Sequence, residues 1–195
     1  MKHPEQGESE ARERVITVAR QLFSEHGYQA VTLRDIGQAI GIRHTSLYHH
    51  FPQGKEELFV EVTARRMGAY RQGLEAAIQQ AGSDWRDCLH TAALWLLDQP
   101  AMHLGRMLQA DMSQISAEAA IKLKEIIFAS LLQPLNEVLR VALADNPEKL
   151  QRSLTIAGMF YSLIEGIDNL PASYVTGTKA ELVEIVLDVF INGLK

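Results

Sequence analysis

One cysteine, Cys88, in 195 residues excludes an internal disulfide framework and suits a reducing compartment. No apolar run approaches the ~20 residues needed to cross a bilayer. The opening MKHPEQGESEARER is polar and charged, unlike a secretory signal. Strand-like alternation, internal repeats and low-complexity tracts are missing. So are a phosphate-cradling glycine motif, HExxH and a nucleophile elbow. These absences leave a cytoplasmic, all-α protein with no membrane segment, no cofactor and no catalytic machinery. The nearest approach to a reactive cluster is Asp87, Cys88 and His90. Asp87 and His90 form one D-x-x-H step with no second ligand motif to complete a metal site. Cys88 lacks an activating neighbour and reads as a small core residue.

The net charge of −5 is unevenly placed. Residues 1–66 hold nine basic and nine acidic side chains, which cancel, together with five of the seven histidines. Residues 67–195 hold ten and fifteen, so the acidity belongs there. A neutral amino-terminal part suits a surface that approaches a polyanion through shape and specific contacts, not through bulk charge. At 47% hydrophobic, the chain can build a small domain beside a larger one.

The most informative stretch is TLRDIGQAIGIRHTSLYHHFPQGK, Thr32 to Lys55. Thr32 can cap a short helix whose apolar face is Ile36, Ala39 and Ile40. Gly41 supplies a left-handed turn, and a second helix runs from about His44 to Phe51, where Pro52 stops it. Two short helices joined by a glycine turn make a helix-turn-helix, which commonly sets its second helix in the DNA major groove. At roughly 100° per residue, Leu47 and Phe51 share the inner face, while Thr45 and His49 point almost opposite. The outward set carries no acid. His49 and His50 are adjacent, so they point apart and make poor joint ligands.

Residues 15–58, VITVARQLFSEHGYQAVTLRDIGQAIGIRHTSLYHHF followed by KEEL, resemble the DNA-binding domain of the TetR family of transcriptional repressors. The family's LF and GY pairs correspond to Leu22, Phe23, Gly27 and Tyr28, and its recognition helix to Ser46–Phe51. The chain departs from the family in carrying Gly37 where alanine is usual, in Arg43 and Thr45 ahead of the recognition helix, and in a PQG loop one residue longer. The resemblance implies a homodimeric, ligand-responsive repressor on a palindromic DNA operator. Activation, or an architectural role without an effector, is the alternative. Arg43, Thr45, Ser46 and His49 become candidates for base or groove contact, and His44 is a DNA-binding candidate beside them. Thr32, Tyr48, His50 and Lys55 become candidates for phosphate positioning.

Along the chain, residues 1 to 8 read as an arm, with Ser9 capping a first helix that Gly27 ends. Residues 9–54 then form a three-helix domain and residues 55–195 a larger helical domain for effector binding and dimerisation. Helices are expected over about 55–80, 83–99, 102–112, 117–144 with a kink at Pro134, 147–170 and 179–194. Ser83, Ser116, Asn146 and Thr178 stand at the caps, Thr178 with Glu181 as a capping box. Lys55 opens its helix with a cation, against the helix dipole, as though an outside anion lay near.

The last helix is apolar around nearly its whole circumference, and the preceding one carries a small-residue stripe of Gly158, Ser162 and Gly166. Helices of this kind need cover on two sides. With Leu182, Val186, Val189 and Phe190 they are read as the dimer interface. Trp95, His103, Arg106, Tyr161 and Glu165 lie among apolar neighbours and are candidates for a small-molecule effector pocket.

Overall fold

The computed structural model describes residues 4–100, 104–171, 173 and 175–194. Among them every regular element is helical, and no helix is long and apolar enough to cross a membrane. Residues 4–66 and 104–126 form one compact unit, and residues 67–100 and 127–194 a second.

In the first unit α1 runs Pro4–Ala30 and is interrupted at Gly27, whose φ of 80° lies in the left-handed region that glycine tolerates. The helix begins at Pro4, so residues 4–8 are not the expected arm, and Ser9 lies inside the helix instead of capping it. Proline suits a first helical position because its φ is preset and its missing N–H has no partner to lose there. Helix α2 (Leu33–Ile40) is capped by Thr32 in a reciprocal box with Asp35. It ends at Gly41, φ 73°, whose N–H bonds back to the carbonyls of Gln38 and Gly37. Its buried face is Leu33, Ile36 and Gly37, with Ile40 half-buried. Ala39 is exposed, contrary to expectation, because the i, i+3, i+4, i+7 stripe begins at Leu33 and passes it by. Helix α3 (His44–His50) follows, then α4 (Lys55–Gln80), whose first turns belong to this unit. Phe23, Tyr28 and Phe59 form an aromatic cluster at the centre, with Phe23 edge-on to Phe59 at 5.2 Å.

The segment that returns to this unit is irregular. One turn of α6 (Leu104–Arg106) passes into a π-helical turn, Met107–Asp111, and a 3₁₀ turn, Met112–Gln114, in place of the single helix expected there. Helix α7 (Ala117–Ile127) starts under a Ser116 cap.

The second unit holds the rest of α4, then α5 (Trp85–Asp98), α8 (Gln133–Ala142), α9 (Pro147–Gln151), α10 (Ser153–Asp168) and α11 (Lys179–Leu194). Asp84, not Ser83, caps α5, its carboxylate accepting from the N–H groups of Arg86 and Asp87. Pro134 is accommodated by a π-helical turn over Phe128–Leu132 immediately before α8. A loosened turn makes room for a ring that has no N–H to return. The helix expected over 147–170 is two helices, parted at Arg152, whose N–H bonds to Lys149 three residues back. Asn146 and the Thr178–Glu181 box cap α9 and α11 as expected.

Within this unit Trp95 lies edge-on to Tyr70, ring centres 5.5 Å apart, and against the backbone of Gly73. A Cβ at Gly73 would stand 2.2 Å from Trp95 Cζ2. Gly73→Ala is therefore expected to lower stability by about 1–3 kcal/mol despite alanine's better helix propensity. Urea unfolding measures this, and a variant as stable as the parent would contradict the packing.

Candidate nucleic-acid interface

A seven-residue helix needs outside support, and α3 receives it on one face. Leu47 and Phe51 are fully buried. The Arg12 guanidinium lies over the Phe51 ring at 4.9 Å and also donates to the Glu61 carboxylate. Arg65 joins Glu61 at 2.8 Å and Glu13 at 2.7 Å. A four-residue ionic network therefore ties α1 to α4 beside the end of α3. The Arg12 hydrogen bond, with Arg65 adding its charge, holds Glu61 below the usual carboxylate range.

The opposite face is polar. Arg43, His44, Thr45, Tyr48 and His49 are exposed, and Ser46 and His50 are half-buried at the flanks. No acidic side chain occurs on α3. Arg43 occupies the cap position, where its guanidinium, which only donates, cannot cap the N–H groups of the first turn.

Two phosphate-positioning candidates have intramolecular work. The Thr32 hydroxyl accepts from the Asp35 N–H at 3.2 Å and donates to Asp35 Oδ2 at 2.6 Å. The Thr32 hydroxyl, with the Thr32 N–H also donating to Oδ2 at 2.8 Å, holds the Asp35 carboxyl low. The Lys55 ammonium donates to the Tyr28 carbonyl at 3.0 Å and sits 4.0 Å above the Tyr28 ring. Burial pulls its pKa down. The chain itself thus supplies partners for a cation at the start of α4, where an outside anion had been expected.

Tyr28 and Glu56 carry two further connections that sequence reasoning missed. The Tyr28 N–H donates to the buried Asp111 carboxylate at 3.0 Å. Glu56 accepts from the Ser116 N–H at 2.9 Å and from its hydroxyl at 2.6 Å. The irregular segment is thereby clasped to the end of α1 just beyond Gly27 and to the first turn of α4. Nothing local in the sequence marks Asp111; its partner is 83 residues away.

Among the effector candidates whose side chains are described, Trp95, Tyr161 and Glu165 belong to the second unit. Trp95 lines a groove of about 550 Å³ with Thr91, Leu94, Asp98 and Lys179, which Tyr161 and Glu165 do not line. Tyr161 is buried, its hydroxyl 3.5 Å from Glu165. His103 lies outside the described residues, and Arg106 is described by its backbone alone. In the rejected catalytic cluster the Cys88 thiol is buried, which raises its pKa, and His90 pairs with Glu184 at 2.9 Å.

On α10 and α11 the proposed pairing residues share a surface with others not anticipated. Val189 is 69% exposed, as are Met159 at 60%, Ile185 at 59% and Leu163 at 48%. Ser162 is exposed and donates to the Gly158 carbonyl; a Cβ at Gly158 or Gly166 would meet nothing within 4 Å. Leu182, Val186 and Phe190 are half-buried, Phe190 packing on Phe160 at 5.1 Å. Val183, Leu187 and Ile191 are buried within the chain. One apolar side of α11 is therefore covered and another is open.

Comparison with known proteins agrees with this anatomy. Residues 15–62 match the family model for bacterial regulatory proteins of the tetR family. The HTH-type transcriptional repressor AcnR of Corynebacterium efficiens is 25% identical over 188 residues, covering 95% of this chain and 93% of that protein. The fatty acid degradation regulator FadR from Bacillus halodurans has the same fold, with a TM-score of 0.70 at 20% identity over 100% of this chain and 98% of its own. So does AibR, solved in complex with isovaleryl coenzyme A and operator DNA, with a TM-score of 0.69 at 15% identity over 91% and 96%.

The ionic network beside α3 has a definite pH signature. Glu61 is held low in the fold, so its contribution is complete above the unfolded glutamate range and is lost as pH falls through the folded value. Glu61→Gln should cost up to about 1 kcal/mol at pH 7, with the gap to the parent closing in acid. Equal urea stabilities at pH 7, or a gap that widens in acid, would contradict the assignment.

Proposed function

We propose that this chain, a TetR-family protein through its residues 15–62, is a repressor that binds a palindromic operator as a homodimer in the cytoplasm and leaves it when a small molecule binds. The reading rests on the division of α3 into a fully buried inner edge and an exposed, acid-free outer one. Residues 9–54 act as the reader, and residues 55–195 serve the effector and the partner copy. Arg43, His44, Thr45, Ser46 and His49 contact bases or the groove wall. Tyr48 and His50 contact the flanking phosphates. Thr32 and Lys55 contribute at the same edge, Thr32 by fixing the start of α2 and Lys55 with the ammonium hydrogens that Tyr28 leaves unused.

Dimerisation follows from the reader's size. One short helix spans a few base pairs, whereas two set ~34 Å apart read a palindrome. The exposed Met159, Leu163, Ile185 and Val189 supply a self-complementary apolar surface for that pairing. No catalytic role is proposed.

Release by an effector needs a route from the ligand to the reader. The chain offers one in the clasped segment: it is bonded to Tyr28 and Glu56, while the chain on either side of it belongs to the second unit. A ligand preferring one arrangement of residues 67–101 and 127–195 would shift the reader in proportion to that preference, and an indifferent ligand would shift nothing. Trp95, Tyr161 and Glu165 remain the pocket candidates, with His103 and Arg106. AibR, with its acyl coenzyme A and operator DNA, shows that this fold can carry both ligands.

The test starts from duplexes selected out of a random library by the purified protein. The parent should prefer the selected site over random DNA by at least about 10³-fold. His49→Ala should change which bases are selected. Val189→Asp sets two carboxylates into one apolar contact and should yield a folded monomer with operator affinity reduced to near the random-duplex level. A parent that binds both duplexes alike, or a Val189→Asp protein that stays dimeric and bound, would defeat the reading.

A further inference from the structure

Helix α5 carries a stripe with an apolar middle and polar ends. Thr91, Leu94, Trp95 and Asp98 follow one another at i, i+3, i+4 and i+7, so they share a face. That face forms one wall of the groove of about 550 Å³ in the second unit. Ala77 and Gln80 of α4, with Lys179 and Ala180 of α11, help to complete it. The volume is that of a small-molecule site. Tyr70 and the backbone of Gly73 fix the Trp95 ring in place. Thr91 and Asp98 stand at opposite ends of the stripe, about 10 Å apart along the helix axis.

The Asp98 end carries a charge without a counter-ion. Asp98 is the last residue of α5, where the helix dipole disfavours an anion. Among the described residues its carboxylate has no hydrogen-bond or ion-pair partner. Lys179 lines the same groove but is engaged elsewhere: its ammonium pairs with Asp168 at 2.9 Å and donates to the Leu97 carbonyl at 2.7 Å. The groove's one cation is thus neutralised and its one anion is not. The Thr91 hydroxyl and the Gln80 amide are also without a partner among the described residues.

We propose that this groove binds an arylalkylammonium ion, a flat aromatic ring joined by a short chain to a protonated amine. The ammonium meets the Asp98 carboxylate, and the ring lies along Trp95 and Leu94, an aromatic wall that also favours a nearby cation. A hydroxyl on the far side of the ring reaches Thr91 or Gln80. The carboxylate is the selective element. A neutral ligand forgoes the charge-assisted bond, and an anionic one faces Asp98 and must displace Asp168 from Lys179. The claim concerns binding alone, so its failure would leave the DNA reading untouched.

The chain has two tryptophans, and Trp85, with Arg86 over its ring, does not line the groove. In the isotope-labelled full-length protein the two indole N–H resonances therefore report the groove and an internal control, with Trp95→Phe assigning them. Three probes of one shape are titrated: tyramine, the neutral alcohol tyrosol and the carboxylate phloretate. Tyramine should shift the Trp95 signal saturably, with a dissociation constant on the order of 1 mM, and leave Trp85 in place. Tyrosol should bind about tenfold more weakly, and phloretate not measurably. Asp98→Asn keeps the shape and removes the charge. It should reduce tyramine to the level of tyrosol, while the unliganded variant stays at least as stable in urea as the parent. No saturation by about 10 mM tyramine, phloretate binding as tightly as tyramine, or unchanged tyramine affinity in Asp98→Asn would each overturn the proposal. So would an Asp98→Asn protein less stable than the parent, because Asp98 would then be serving the fold.

Discussion

Helix α3 is two turns long, too short to hold its conformation alone in water, yet reading DNA requires its outer side chains in fixed positions. Burial of Leu47 and Phe51 resolves this conflict. It anchors the helix from within and leaves the outer face unencumbered. Around that anchor the fold adds constraints of different kinds. Arg12 covers the Phe51 ring and is held by Glu61. Gly41 closes the turn before α3. The base-reading candidates carry almost none of this load, so they can vary without threatening the domain.

Much of this was legible in the sequence because it is local. The Thr32 cap, the Gly41 turn and the inward pair four residues apart in α3 depend on near neighbours, as do the Asn146 and Thr178 caps. Misreadings arose where a distant partner or a competing cap decided the outcome. Asp84 took the cap from Ser83 because a carboxylate one residue later reaches two N–H groups. Lys55 was read without a partner in the chain, and it has one, a carbonyl 27 residues earlier. The tie between Tyr28 and Asp111 spans 83 residues and leaves no periodic or compositional trace.

The carboxyl-terminal helices show a different limit. A helix as widely apolar as α11 could be buried within one chain or shared between two. Burial of Val183, Leu187 and Ile191 alongside exposure of Ile185 and Val189 divides the circumference between these roles. Periodicity could not assign the sides, because apolar residues spread nearly all round the helix between Glu181, Glu184 and Asp188. Met159 and Leu163 on α10 extend the open side, and a surface so apolar is uncommon on a protein that stays single.

The central claim joins these two surfaces: paired chains present two α3 helices to one face of a duplex. Helical phasing tests it most directly, through affinity for operators in which base pairs are inserted between the half-sites. Five inserted pairs turn one half-site to the far side of the duplex, since a full turn is about 10–10.5 base pairs. The account predicts that binding to this operator collapses toward that of a single half-site. Affinity indifferent to the insertion would mean that the two readers do not act as a fixed pair, and the account would be wrong.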